Sequence, residues 1–207
     1  IVDAVAISPD STKIASASYD KTVRVWTVAD TKQVAQINAD AAGAVYAVTF
    51  TPNNEMLCVG GADKIVKLYN AASGAEVKKF AGHGDAVYSV AVSPDNTLVA
   101  SAGADKTVKI WTVATGAEAR TISGHAGWVY AVQFAPSGKF IATGDYTGEI
   151  AIWEVATGNR VFSTKVPSAN NTPIGIFNLA YSHDGALLGV ACANNMAYVI
   201  VVPANAR

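Results

Sequence analysis

The strongest constraint on this chain is a unit of about 42 residues that occurs five times. A turn marks each unit, at Ser8-Pro9-Asp10, Thr51-Pro52-Asn53, Ser93-Pro94-Asp95, Ala135-Pro136-Ser137 and, in a degenerate form, Ser182-His183-Asp184. Counted between the central residues of these turns, the spacings are 43, 42, 42 and 47 residues. Seventeen positions after each central residue come Trp26, Tyr69, Trp111, Trp153 and Ile200. Two markers that stay in phase through five units indicate a repeat architecture.

Within a unit, apolar residues alternate with a period of two, which is typical of strands rather than helices. In the third unit this pattern predicts four strands, over Val87–Val92, Leu98–Ala102, Thr107–Trp111 and Glu118–Ile122. Four short strands joined by turns form an antiparallel meander, and such a sheet cannot bury both of its faces alone. Neighbouring units must therefore stack, and radial stacking predicts an all-β fold of the β-propeller type.

Two units also carry the residues of a known repeat. They resemble the WD40 repeat through Gly82-His83 with Ser101, Asp105 and Trp111, and through Gly124-His125 with Thr143 and Trp153. The resemblance covers essentially the whole chain, although no unit contains a literal Trp-Asp pair. It implies a β-propeller of four-stranded antiparallel blades, most often seven of them.

In the WD40 family, His, Ser or Thr, Asp and Trp form a hydrogen-bonded tetrad inside a blade. The resemblance therefore implies a structural role for His83, Ser101, Asp105 and Trp111, and for His125, Thr143 and Trp153. In the fourth unit, Thr147 stands where the Asp is expected. The other units are further from the pattern: the first has Ser16, Asp20 and Trp26 without a His, the second has Ala41, Val59 and Asp63, and the fifth has Thr172, Val190, Asn194 and Ile200.

The five units do not contain equal numbers of strands. They are expected over residues 1–38, 39–80, 81–122, 123–165 and 166–207, and the last one lacks a fourth strand. Because a seven-blade ring needs roughly 290 residues, we expect an incomplete propeller that lacks about two blades. These blades would come from a longer parent chain or from another subunit. The alternatives are a compact ring of five blades and a ring closed by oligomerisation.

Aromatic residues recur six positions before the central turn residue of four consecutive units, at Tyr46, Tyr88, Tyr130 and Phe177, while the first unit has Asp3 there. In WD40 proteins this position opens the innermost strand and points to the top face around the channel. The same resemblance places Tyr19, Trp128 and Tyr146 beside these residues. Tyr and Trp are enriched at binding hot spots, so the seven aromatics are predicted to form a partner-binding surface. The alternative is that they fill the channel and pack on one another.

Two further features of this face have alternative interpretations. Lys21, Lys64 and Lys106 recur on its rim, either as a solvated edge or as contacts for an acidic partner. The segment Ser163–Gly175 lengthens the last spacing and is either a recognition loop or a flexible connector.

Composition and charge narrow the function. The chain has 15 Lys plus Arg against 16 Asp plus Glu, a balance that disfavours nucleic-acid binding, and no apolar run is long enough for a bilayer. Cys58 and Cys192 lie in predicted strands and are interpreted as buried structural thiols. No catalytic, metal or cofactor site is predicted.

The sequence therefore predicts a non-enzymatic, cytoplasmic protein-interaction scaffold that binds a peptide or a partner protein. Two alternatives remain at this point. One is a propeller enzyme, or a cofactor- or metal-binding domain, that uses the central channel, and the other is a nucleic-acid-associated propeller.

Overall fold

The computed structural model describes residues 1–39, 43–167 and 173–207. Ala41, Thr172 and the central part of the segment Ser163–Gly175, residues 168–172, lie outside this described part. The described residues form five antiparallel sheets, here called blades one to five, in which consecutive strands are hydrogen-bonded neighbours. The predicted all-β fold of WD40-like, propeller-type blades is confirmed.

The strands of each blade follow chain order, with the first one innermost. Blade one contains β1 (Val2–Ile7), β2 (Lys13–Ser18), β3 (Thr22–Thr27) and β4 (Gln33–Asn38). Blade two contains β5 (Val45–Phe50), β6 (Met56–Gly61), β7 (Ile65–Asn70) and β8 (Glu76–Ala81). Blade three contains β9 (Val87–Val92), β10 (Leu98–Gly103), β11 (Val108–Thr112) and β12 (Glu118–Ile122). Blade four contains β13 (Val129–Phe134), β14 (Phe140–Asp145), β15 (Glu149–Glu154) and β16 (Arg160–Lys165). Blade five contains β17 (Ile176–Tyr181), β18 (Leu187–Cys192) and β19 (Ala197–Val201), followed by a 3-10 turn, Ala204–Ala206.

The blades stack through their inner and middle strands. Strand β1 packs against β5, β5 against β9, β9 against β13, and β13 against β17. Middle strands such as β7 and β15 are buried along most of their length, because each is covered by neighbours on both faces. Four clusters of apolar side chains lie between or within the blades. This two-sided burial accounts for a charged fraction of only 15%.

Hydrogen bonds also join neighbouring blades at the proline turns. The backbone N–H of Asp10 donates to Asn54 Oδ1 at 3.0 Å, and the N–H of Asn53 donates to Asn96 Oδ1 at 3.1 Å. Both acceptor residues have positive φ angles, 65° for Asn54 and 61° for Asn96, in the region that Asn tolerates better than most residues. The second and third blades are thereby each fixed to the preceding one through an equivalent contact.

The five blades are not closed into a ring. Val5 of β1 is 68% exposed, whereas the equivalent residues in later blades, Val48, Val90 and Val132, are buried by the preceding blade. On the other end, Val199 of β19 is 70% exposed. The five-blade ring considered above is therefore wrong, and two apolar sheet faces remain uncovered by the described residues.

The inner strands of the five blades line a concave space of about 950 Å³ that is open between blades one and five. Its wall is formed by β1, β5, β9, β13 and β17, together with Tyr19. In the described part of the chain, no helix has the length and apolar character needed to cross a membrane.

Candidate functional site

The seven aromatic residues predicted to form a partner-binding surface lie together at one end of the inner strands. They make an unbroken series of ring contacts that we call the aromatic ladder. Its main line has centroid distances of 5.7 Å for Tyr19–Tyr46, 5.4 Å for Tyr46–Tyr88, 5.1 Å for Tyr88–Tyr130 and 5.6 Å for Tyr130–Phe177. Trp128 and Tyr146 join it at blade four, each with its ring centroid 6.4 Å from that of Tyr130.

A backbone irregularity positions the main line. In every blade the pairing of the first two strands shifts by one residue, and the residue left without a partner is Asp3, Tyr46, Tyr88, Tyr130 or Phe177. Such a β-bulge bends the strand locally and redirects the side chain of the extra residue. The bulge thus turns an inner-strand residue of each blade toward the same face. Sequence reasoning located these positions but missed the bulge, because composition does not reveal strand register.

The ladder is only partly buried. Phe177 is 58% exposed and Trp128 is 46% exposed, while Tyr46, Tyr88 and Tyr130 are half-buried. Burial, with smaller contributions from neighbouring ionisable groups, raises the pKa of the Tyr88 and Tyr130 hydroxyls, so both carry their protons at neutral pH and can donate hydrogen bonds. Burial also raises the pKa of Asp3, partly opposed by the N-terminal amine. The ladder therefore combines apolar ring area with neutral hydroxyl donors.

The predicted tetrad of blade three is assembled inside the sheet. Trp111 Nε1–H donates to Ser101 Oγ at 2.8 Å, and the same hydroxyl lies 2.7 Å from His83 Nε2. His83 Nδ1 lies 2.8 Å from Asp105 Oδ2. Since Asp105 accepts and Trp111 donates, the arrangement fits a neutral His83 that carries its proton on Nδ1.

The pKa shifts of His83 and Asp105 support the same assignment of the protons. Burial lowers the pKa of His83 despite the nearby Asp105. For Asp105, burial alone would raise the pKa, but hydrogen bonds from Gly84 N–H, His83 and Thr107 outweigh it and lower the pKa. Both shifts favour the pair of a neutral imidazole and an ionised carboxylate. This is the pattern of a structural hydrogen-bond network rather than of a proton-transfer site.

Blade four forms the equivalent network with a different acid. Trp153 Nε1–H donates to Thr143 Oγ1 at 2.8 Å, and His125 contacts Thr143 and, at 3.0 Å, Asp145. The expectation that Thr147 replaces the acid was incomplete, because Asp145 at the end of β14 reaches the imidazole instead. Thr147 supports that carboxylate through its N–H and hydroxyl, at 2.8 and 2.7 Å.

Blades one and two replace the missing histidine with a cation that sequence reasoning did not identify. In blade two the Lys67 ammonium donates to Asp63 and, at 2.5 Å, to the carbonyl of Ala39, and its side chain is only 9% exposed. In blade one, Arg24 pairs with Asp20 at 2.9 Å. In the sequence, each cation follows the turn Asp by four residues, but this spacing is not specific, because Lys109 also follows Asp105 by four residues and pairs with Glu118.

One group of described side chains could offer metal ligands, namely His125, Asp145 and Glu149, whose ligand atoms lie within 4.8 Å of one another. All three side chains already form hydrogen bonds or ion pairs with other groups of the protein. Both ring nitrogens of His125 are hydrogen-bonded, Asp145 accepts from Thr147 and from Glu149 N–H, and Glu149 pairs with Arg160 at 2.8 Å. The cluster is therefore accounted for by the network of blade four.

The cysteines show no sign of activation. Cys58 and Cys192 are buried and unpaired by disulfide, and burial raises the pKa of both thiols. A raised pKa disfavours the thiolate, which is the reactive form.

Comparisons with known proteins agree with the repeat structure. The family described as WD domain, G-beta repeat matches residues 1–27, 31–70, 74–112 and 116–154. Except for the first, each match begins before or in the fourth strand of one blade and ends in the third strand of the next, so the sequence repeat is out of phase with the sheet. Blade five lies outside these matches.

Similar curated proteins include WD repeat and SOCS box-containing protein 1 from Homo sapiens, 38% identical over 71 residues, and from Mus musculus, 41% identical over 64 residues. These alignments cover 34% and 30% of this chain, but only 17% and 15% of the relatives. The aligned part is thus about a sixth of each relative's length. The matches to four successive repeats, over more than half of the residues, show that this chain belongs to the WD domain, G-beta repeat family.

Proposed function

We propose that this protein is a non-enzymatic interaction scaffold that binds a peptide or a partner protein on the aromatic ladder. The observation that carries the proposal is the unbroken series of seven contacting and partly exposed aromatic rings. Rings of this kind provide a large contact area and lose little conformational entropy on binding. A surface that only filled the channel would not need to leave Trp128 and Tyr146 of the interior blade four each 46% exposed.

The family supports this assignment in general terms, since WD repeat proteins generally act as protein-interaction scaffolds. The relatives named above combine WD repeats with a SOCS box in one protein, and a repeat domain that binds a partner suits such a combination. The enzyme and nucleic-acid alternatives have less support, because the candidate metal ligands are engaged in blade four and the net charge is −1. A cytoplasmic location stays a prediction.

The proposed binding is tested by selecting peptides from a random display library on the immobilised protein. Each selected peptide is then measured on a variant in which both Tyr88 and Tyr130 are replaced by Ala. We expect most peptides to lose binding at least tenfold. Since the double variant removes half-buried rings, its fold is checked by circular dichroism, and Phe177→Ala serves as a second variant that removes an exposed ring. Unchanged binding to both folded variants would contradict the proposal.

We also propose that the two bare apolar faces, around Val5 and around Val199, are covered by about two further blades from a longer parent chain or another subunit. The exposed residues occupy positions that interior blades bury, so further blades would complete the same packing. In a protein that contains such blades, Val5→Glu should lower the melting temperature by several degrees. An unchanged melting temperature there would show that the blade-one face is not covered.

A further inference from the structure

The residues beside the ladder differ between blades. In blade four the backbone N–H of Tyr146 donates to the carbonyl of Trp128 at 2.8 Å, which places these two rings side by side. The same hydrogen bond joins alanine pairs in the two preceding blades, at 3.0 Å from Ala62 to Ala44 and at 2.9 Å from Ala104 to Ala86. We call these four alanines the alanine shelf.

The shelf makes the ladder face uneven. Its side chains end at Cβ, so the face is low beside Tyr46 and Tyr88. Ala62 and Ala86 are partly exposed there, while Ala44 and Ala104 are buried behind them. At blade four it rises, because the Trp128 and Tyr146 rings stand at the same two positions and lie 6.0 Å apart. A shallow, apolar strip therefore runs along blades two and three and ends against an aromatic wall.

The charged groups next to the shelf balance one another. Lys64 Nζ donates to the carbonyl of Gly84 at 2.9 Å and lies 3.9 Å from the carboxylate of Asp85. Asp105 accepts from Gly84 N–H and is followed in the chain by the exposed Lys106. Because the charges of these two lysines and two aspartates cancel, the strip favours a ligand without a net charge.

The spacing of the rings narrows the conformation of such a ligand. Successive ladder rings are separated by 5.1 to 5.7 Å. A polyproline II helix advances about 9 Å per turn of three residues, so one turn covers slightly less than two ring intervals. Its carbonyl groups have no internal partners, and the neutral hydroxyls of Tyr88 and Tyr130 can donate to them.

We propose that the ladder and the alanine shelf bind an uncharged, proline-rich segment in the polyproline II conformation across blades two to four. The proposal rests on the proposed function and specifies its ligand. Proline rings would lie on the shelf beside the tyrosine rings, and the wall formed by Trp128 and Tyr146 would limit the segment at one end. Aromatic-lined grooves bind proline-rich segments in this way because the ligand is already extended and loses little entropy.

The direct test is calorimetric titration with a capped oligoproline of about nine residues, which makes about three helical turns. Matched peptides rich in Gly and Ser, in Lys, and in Glu are titrated alongside. We expect the oligoproline to bind at least tenfold more tightly than each of them. Tighter binding of the Lys or Glu peptide would overturn the proposal in favour of a charged ligand, and equal binding of the Gly-Ser peptide would overturn it as well.

The shelf is tested by filling it. Ala86→Trp copies the residue that blade four carries at the equivalent position, so the local backbone is known to accept it. We expect this variant to weaken oligoproline binding at least tenfold while the melting temperature stays within a few degrees. Val77→Ala, on the exposed side of β8, is the matched control and should leave binding unchanged. Full binding by Ala86→Trp would remove the shelf from the site.

The display selection separates this proposal from the one on which it rests. Ladder-dependent peptides without prolines would overturn the polyproline ligand and leave the scaffold function standing. A selection that returned no ladder-dependent peptide would contradict both.

Discussion

At the scale of single residues, the blades stabilise a carboxylate near the end of the second strand with two different kinds of partner. Each of the first four blades has a carboxylate at the end of its second strand or in the turn that follows, and in blades two to four this group is largely buried and needs partners. In blades three and four the partner is a histidine, His83 or His125, and in blades one and two it is a cation, Arg24 or Lys67. The family pattern predicted the histidines, whereas the cations required contacts that a motif does not contain.

Removing the buried cation should destabilise the fold. Lys67→Met keeps most of the side-chain volume but leaves Asp63 and the Ala39 carbonyl without the ammonium. Breaking a buried ion pair leaves an uncompensated charge, so we expect a loss of about 3 kcal/mol in the free energy of unfolding. Arg24→Met is the control, because Arg24 and its partner Asp20 occupy the equivalent positions of blade one with exposed side chains, and the loss should stay below about 1 kcal/mol. Equal losses in urea denaturation would contradict this account of Lys67.

The tetrad of blade three should make stability depend on pH. Because burial lowers the pKa of His83, the unfolded chain takes up a proton below the ordinary value of 6.5 that the folded chain resists. The free energy of unfolding should therefore fall as the pH decreases through 6.5. It should fall again below 3.8, where the unfolded chain protonates Asp105 and Asp145, whose pKa values are lowered in the fold.

Denaturation at several pH values tests this dependence. His83→Gln should reduce the loss of stability just below pH 6.5 relative to the unchanged protein. His183→Gln changes an exposed turn and serves as the control for loss of a histidine. If the free energy of unfolding falls equally steeply with decreasing pH in His83→Gln and in the unchanged protein, another group is responsible.

At the scale of strands, the period-two pattern and the turn residues predicted the meander closely. The second strand of blade three was expected over Leu98–Ala102 and extends over Leu98–Gly103. The bulges that aim Tyr88 and Tyr130 were not predictable, because they depend on how two strands pair. The same limit applies to Asp145, which reaches His125 from the end of a strand rather than from the expected turn position.

Packing between blades four and five should depend on the absence of a side chain at Gly144. A Cβ placed there would lie 2.3 Å from Ile176 Cγ2, which is far below normal contact. Gly144→Ala should therefore reduce the free energy of unfolding by about 1 to 3 kcal/mol through overpacking. The equivalent residues between blades three and four are Ala102 and Val129. Both are buried, and neither has a large side chain.

A double-mutant cycle with Ile176→Ala tests this cause, because that change removes Cγ2, the atom nearest to the added Cβ. We expect Gly144→Ala to cost clearly less free energy of unfolding in the Ile176→Ala background than in the unchanged protein, measured by chemical denaturation. If the losses of the two single variants simply add in the double variant, the overlap with Ile176 is not the cause.

At the scale of the whole molecule, repeat spacing predicted the number of blades and the missing fourth strand of the last one. The spacing does not tell whether the outer faces of blades one and five are exposed, because that depends on what covers them. The structure leaves Val5 and Val199 exposed at the two ends, while equivalent residues inside the row are buried. The same residue type therefore has opposite environments at positions that the repeat makes equivalent.

This difference gives a prediction that uses one substitution at two equivalent sites. Val90→Glu places a carboxylate between blades two and three, where burial of an unpaired charge should prevent folding or lower the melting temperature strongly. Val5→Glu makes the same change on the bare face of blade one, and in this chain it should alter the free energy of unfolding by about 0.5 kcal/mol at most. It should also reduce self-association, measured by sedimentation, because a charge interrupts the exposed apolar face. Similar destabilisation by both substitutions would mean that the face of blade one is covered in solution.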